Sequence, residues 1–429
     1  MSRRVARLFG CSFPAAALAV AATVGPAVAA PGETGPLFAE LTTFEVPGEV
    51  AEILAVTPDG RTLLYTDSAT AEVGLVDLTR PTEPQMLGAV PVNGEPTSVA
   101  VSRDGRFALA VVDTSPSFDA PSGELVVIDL RTRTVVRTIA LGGQPDSIAI
   151  SPDGSLAAVA IENQRDEEAE VGGVEGGLPQ APAGYLAVID MRGAPAGWTV
   201  GQVELTGLAG ALYPEDPEPE YVDINREGVA AVTLQENNAV ALVDLRSRTV
   251  LGSFSAGTVT RADADIVDDG TVAFTDPLQA PREPDAVQWT REGNLVTADE
   301  GDLAEEPSGG RGWTVFSPDG QIIFTAGSTA EQALAAVGSY PDGRSDDKGA
   351  EFEGAEIASL RGTTYAFIGS ERGDAVLVYD FSNEAAPELL QVLPTGAAPE
   401  GLLAIQRQHL FLTSNEDDGT ISIFQLSGR

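Results

Sequence analysis

This 429-residue sequence predicts an all-β fold, a ring of seven blades with four short antiparallel strands in each. Three observations predict it. A tight-turn signal recurs: TPDG at 57–60, SRDG at 102–105, SPDG at 151–154, NREG at 225–228, TREG at 290–293 and SPDG at 317–320. An alternating strand that ends in aspartate also recurs: GLVDL at 74–78, VVIDL at 126–130, AVIDM at 187–191, ALVDL at 241–245 and LVYDF at 377–381. The two signals interleave at a spacing of roughly 50 residues, without helical periodicity between them.

The turns are flanked by β-formers, and their Asp/Glu-Gly pair supplies the positive φ of a hairpin. Residues 93–141 then read NGEP, strand SVAVS, turn RDG, strand RFALAVV, a polar loop, strand ELVVIDL and strand TVVRTIAL. Residues 142–208 repeat that order. Units begin near 44, 93, 142, 213, 280, 345 and 396, which is the pattern of a seven-bladed β-propeller. The fifth is the least regular; an insertion and a short helix at TAEQALAAV are expected within 296–342. The seventh ends at ISIFQL, 421–426, after three strands. FAELTTFEV at 38–46, an N-terminal strand completing the last blade, is expected to close the ring and hide both edges. Two stacked sandwiches would not give this regularity.

The first residues read as an export signal. Arg3, Arg4 and Arg7 precede an apolar run over 8–28, and Ala27-Val28-Ala29 fits a signal-peptidase site. The expected division is a signal peptide at 1–29, a linker at 30–36 and the propeller domain at 37–429. A membrane anchor is the alternative, disfavoured by Pro14, Pro26 and the processing site. Ser2-Arg3-Arg4 hints weakly at twin-arginine export. The expected location is secreted or extracytoplasmic, in solution or at the cell wall. No second apolar run of about 20 residues follows, so no membrane span is expected in the mature chain. No sorting tail is expected either.

Composition excludes several functions. Lys+Arg number 25 against 64 Asp+Glu, for a formal net charge of −39. Nucleic-acid binding needs a basic stripe, and Lys348 is the sole lysine. His409 is the one histidine and Cys11 the one cysteine, so histidine-ligated metal centres and disulfide frameworks are excluded. No GxSxG motif or P-loop occurs, GGVEGG at 172–177 lacks a following lysine, and neither heme nor nucleotide is expected. Strong acidity favours a soluble monomer and affinity for cations; adaptation to a salty or acidic-proteome host would produce it equally well.

Propeller topology sorts the loops by face. The residues that open the inner strands and the loops after the second strands share one face, and the DG turns share the other. Aligned round the ring, the opening positions are Glu52, Thr97, Asp146, Glu220, Asp285, Glu353 and Glu400. Converging carboxylates repel, so they must be protonated or neutralised. Ca²⁺ held by Glu52, Asp146, Glu220, Asp285, Glu353 and Glu400 would neutralise them; outward-splayed side chains are the alternative. The second-strand loops add ENQRDEE (162–168), QENN (235–238), DEGD (299–302), SERGD (370–374) and SNEDD (414–418). From these come candidate ligand-binding residues Glu162, Asn163, Arg165, Gln235, Glu236, Asn237, Asn238, Glu300, Asp302, Glu371 and Arg372, with Arg344 and Lys348 nearby. Their carboxylates and amides suit Ca²⁺ or a polyhydroxylated ligand. Arg165, Arg282, Arg344, Lys348 and Arg372 would hold an anion or pair with the surrounding acids. Nothing comparable is expected on the turn face.

Several strings are more specific. PEYVDINREGVAAVTLQENNAVALVDL (219–245), NLVTADEGD (294–302), YPDGRSDDKGAEFEGAEI (340–357), TYAFIGSERGDAVLVYD (364–380) and PEGLL (399–403) resemble the choice-of-anchor I family. ENQRDEE followed by GGLPQAPAGYLAVID fits the same pattern. The resemblance covers nearly the whole mature chain. It implies a secreted or surface bacterial propeller, akin to YVTN propellers, often carrying varied C-terminal anchors or fused phosphoesterase-type domains. Some relatives bear alkaline-phosphatase or phytase-like labels. SERGDAV lacks a glycine usual in that segment, and neither an anchor nor a fused domain is expected here.

The leading expectation is a binding module whose acidic, calcium-holding face takes an unknown extracellular ligand or surface component. The alternative is a calcium-dependent phosphoesterase on the same face, with Arg344, Lys348 and Arg372 holding the phosphate. A purely structural scaffold is a third reading.

Overall fold

The structure is a computed structural model that describes residues 37–48, 50–166, 168–301 and 307–427. The proposed leader and linker, and Asp302, lie outside the described residues.

Seven four-stranded antiparallel sheets succeed one another along the chain. Blade 1 spans 54–91, blade 2 95–140, blade 3 145–204 and blade 4 219–255. Blade 5 spans 284–325, blade 6 355–394 and blade 7 399–426. Each runs from the axis outwards in chain order, and the predicted ring is the one observed.

Local chemistry explains the repeats. In the turns between first and second strands, a Ser or Thr hydroxyl donates to the Asp two residues on: Thr57 to Asp59 at 2.7 Å, Ser102 to Asp104 at 2.7 Å and Ser151 to Asp153 at 2.9 Å. The same aspartates accept the N–H groups of Arg61, Arg106 and Ser155, so each turn is locked by a single side chain. Where the third strand ends in aspartate, as in blades 1–4 and 6, that residue works alike. Asp77, Asp190 and Asp380 accept the N–H of Thr79, Arg192 and Ser382, which starts the turn to the outer strand.

The second and third strands are almost wholly buried, as in FALAVVD at Phe107–Asp113, because both faces pack against neighbouring blades. The outer strands alternate with solvent. Closure occurs as expected: Phe38–Glu45 pairs antiparallel with Thr420–Leu426, from Phe38↔Leu426 to Glu45↔Thr420. Phe38 is 1 % exposed and meets Tyr365, Phe367 and Phe411 edge-on, with ring centroids 5.3–6.4 Å apart.

Blade 5 differs in detail from expectation. Residues 296–342 hold regular strands at Gly312–Phe316 and Ile322–Thr325, and the expected helix follows at Thr329–Val337. The principal addition lies ahead of the blade, a hairpin of Thr258–Ala264 with Asp276–Pro281. Its Arg261 pairs with the fully buried helical Glu331 at 2.8 Å. Arg311, also fully buried, donates to the carbonyls of Ser308, Asp265, Ser345 and Asp347 and pins the surrounding loops.

Among the described residues, no helix is long and apolar enough to cross a membrane. Phe38→Ala is expected to lower unfolding stability by about 3–5 kcal/mol and to hasten proteolysis of the 38–45 strand, as measured by denaturant titration and limited digestion.

Candidate functional site on the acidic face

The inner strands deliver the aligned carboxylates to the axis. Asp146, Asp285, Glu353 and Glu400 line one cavity of about 90 Å³ together with Thr97 and Tyr221. That is room for about three waters or one partly hydrated ion. Glu52 sits beside it and accepts a hydrogen bond from Ser68. Glu220 stands close enough to feel Asp146 and Asp285.

Burial dominates the electrostatics of this ring. It raises Glu52 and Asp146 to about 7 and holds Glu220, Asp285, Glu353 and Glu400 well above the carboxylate range. Repulsion from neighbouring acids adds to burial at five of the six, Asp146 being raised by burial alone.

The six do not form one coordination sphere. Among the described residues, two groups of three carboxylates bring ligand atoms within 4.8 Å of one another, each with one ring member: Glu162, Glu220 and Glu236, and Glu300, Glu351 and Glu353. Two oxygens bound to one Ca²⁺ at about 2.4 Å stand at most about 4.8 Å apart, so either group can share an ion by this criterion.

The groups differ in their surroundings. Glu300 accepts from Lys348 at 2.6 Å and from Gln235 at 2.9 Å. Glu351, 1 % exposed, binds Arg344 at 2.6 Å and Arg372 at 3.3 Å, with Lys348 at 3.9 Å. Arg372 also pairs with Glu371 at 2.8 Å, and Glu371 hydrogen-bonds Glu353. The second group therefore carries its own cations. In the first group, Glu220 Oε2 is enclosed without a hydrogen-bond partner. The nearby Arg165 is spent on Glu218 at 2.8 Å and Asp216 at 3.3 Å, and its guanidinium lies over the Tyr213 ring.

The predicted amides divide by role. Asn163 receives the Gln144 N–H and donates to the Ala183 carbonyl. Asn237 receives the Glu218 N–H and donates to the carbonyls of Leu212, Tyr213 and Asp216. Asn238 receives the Glu283 N–H and donates to Gly257. These three hold loops in place. Gln235 alone reaches an acidic group, at Glu300. Sequence reasoning missed Glu351, whose left-handed backbone, φ 46°, no spacing signal announces.

The turn face carries a feature of another kind. A cavity of about 1010 Å³ opens there between blades 4, 5 and 6, bordered by Trp289, Asn294, Ser359 and Glu384.

Residues 52–308 and 306–384 match the choice-of-anchor I domain. The chain belongs to the choice-of-anchor I family. Its fold is similar to that of Kuenenia stuttgartiensis hydrazine synthase, at 16 % identity and TM-score 0.57, over 89 % of this chain and 97 % of that one. It is also similar to the β-propeller domain of Myceliophteria thermophila Cps50 (Swd1), at 9 % identity and TM-score 0.56, over 90 % of this chain and 98 % of that one. At these identities the likeness of the choice-of-anchor I propeller to both is one of fold. No curated protein matches the sequence.

Raised carboxyl pKa values have a definite sign. Between the unfolded value, 4.5 for Glu52 and 3.8 for Asp146, and the folded value, the folded state holds protons that the unfolded state has released. Stability is then fully present below about pH 4.5 and lost as pH rises through 7. In EDTA, the melting temperature is expected to fall from pH 5 to pH 8, and Glu400→Gln to flatten that slope in a calorimetric series.

Proposed function

We propose that this choice-of-anchor I propeller is an extracytoplasmic binding module whose acidic face takes up Ca²⁺ and engages its ligand there. One observation carries the reading: Glu162, Glu220 and Glu236 meet within 4.8 Å, and Glu220 Oε2 is buried without a partner. Three carboxylates gathered off the axis are the hard-oxygen set that Ca²⁺ prefers, and loop carbonyls or water complete its six to eight ligands. The leader-like 1–29 segment and the surface anchoring that the family's name denotes support the location. The phosphoesterase alternative gains no separate support, because Arg344, Lys348 and Arg372 are engaged by Glu300, Glu351 and Glu371.

The test is a melt of the mature protein in EDTA, followed by Ca²⁺ or Mg²⁺ titrated back at constant ionic strength. A ligand that binds only the native state raises the melting temperature with its concentration. Ca²⁺ is expected to raise it more than Mg²⁺, and Glu220→Gln/Glu236→Gln to abolish the difference. Equal responses to both ions, or a calcium response that survives in the double variant, would sink the site.

A further inference from the structure

The cavity on the turn face lies opposite the acidic face and belongs to none of the chemistry above. Its origin is a missing piece of chain. Most blades join their first two strands through a long turn, as residues 151–155 do in blade 3. In blade 6, Arg361-Gly362 alone connects Ala355–Leu360 to Thr363–Ser370, with φ of 50° and 90°. That tight hairpin turn leaves nothing to overhang the channel. The opening extends from Pro152 of blade 3 across to Gln406 of blade 7.

The volume, about 1010 Å³, is that of a small-molecule site. Ile323, Ile357 and Trp289 supply apolar wall, and Trp289 is partly exposed. Ser359, Thr364, Asn383 and Gln406 supply hydroxyls and amides, which donate and accept. The charges at the rim offset one another, Arg226 and Arg291 against Glu227 and Glu292. Deeper acids are already engaged: Glu384 accepts from Asn294 at 2.6 Å, and Asp223 accepts the N–H of Trp289 at 2.8 Å. With four carboxylates, Asp223, Glu227, Glu292 and Glu384, against Arg226 and Arg291, such a site disfavours an anion. It suits a neutral molecule with C–H faces to lie on an indole and many hydroxyls to exchange hydrogen bonds.

We propose that the turn-face cavity between blades 4, 5 and 6 is a second binding site, for a neutral oligosaccharide. The site depends neither on calcium nor on the acidic face.

The three tryptophans make the test direct. Trp198 is 4 % exposed and Trp313 fully buried, so a ligand-dependent change in emission reports Trp289. The whole mature chain is titrated separately with cellohexaose, maltohexaose, xylohexaose and chitohexaose, and followed by emission and calorimetry. At least one is expected to bind saturably with Kd of about 1 mM or tighter. Asn383→Ala/Gln406→Ala, both at exposed positions, should weaken it by about tenfold. Replacing Arg361-Gly362 with the 151–155 sequence should fill the opening and abolish binding. EDTA and Glu220→Gln/Glu236→Gln should leave it unchanged. The proposal is overturned if none of the four sugars binds at millimolar concentration, or if binding persists unweakened in the Asn383→Ala/Gln406→Ala protein. Loss of binding in EDTA would overturn it too, by assigning the sugar to the acidic face. Should the grafted turn prevent folding, the double alanine variant decides alone.

Discussion

Every inner strand of a propeller has one edge with no strand to pair. That edge faces the axis, where buried N–H and C=O groups must still find partners. This chain finds them by reaching from blade to blade. Thr97 donates to the Pro145 carbonyl, Ser147 to that of Glu220, and Ser414 to that of Glu52. Asp223 accepts the N–H of Trp289, Gln288 that of Ile357, and Glu356 that of Ala404. The axis must therefore be polar, and in this protein much of that polarity is carboxylate. A carboxylate in a narrow channel is costly when charged, so burial pushes the carboxyls of the ring towards their protonated form. The need to satisfy strand edges and the raised carboxyl pKa values thus share one origin.

The acidic face is further organised by scarcity of positive charge. Arg344, Lys348 and Arg372 converge on Glu351 and its neighbours, and Arg165 is consumed by Asp216 and Glu218. Neutralisation is thus uneven round the ring. On the blade 5–6 side three cationic side chains meet the acids, with Glu371 Oε2 left without a hydrogen-bond partner, while on the blade 3–4 side Arg165 is spent elsewhere and Glu220 keeps an unsatisfied oxygen. This asymmetry, more than the number of acids, gives the face a direction.

The ring and its closure were legible in the sequence because their causes are local. A hydroxyl, an aspartate and a glycine within one turn lock that turn wherever it occurs, and the repeat makes the register countable. The same register located Asp146, Asp285, Glu353 and Glu400 at the axis. What was not legible depends on how loops fold back. Asn237 and Asn238 look like ligand-binding amides in a string of letters, yet they spend their hydrogen bonds on backbone groups of distant loops. The trio of Glu162, Glu220 and Glu236 draws on blades 3 and 4 and has no sequence spacing of its own. The cavity on the turn face was missed because it arises from a turn that is short, and a search for recurring turns passes over the blade that lacks one.

Closure by Phe38–Glu45 also dictates an order of assembly. The strand is the first of the ring to emerge from synthesis, and its partner, Thr420–Leu426, is the last of the ring. Until then blade 7 has no outer strand, and the aromatic site that receives Phe38 is incomplete. Contacts between segments so far apart in sequence carry the greatest loop-closure entropy and form late. The early strand must stay unattached throughout, and its polar alternation, FAELTTFE, makes it a weak partner for other strands in that interval. The seam that makes the finished ring edgeless is thus also the latch whose engagement ends folding.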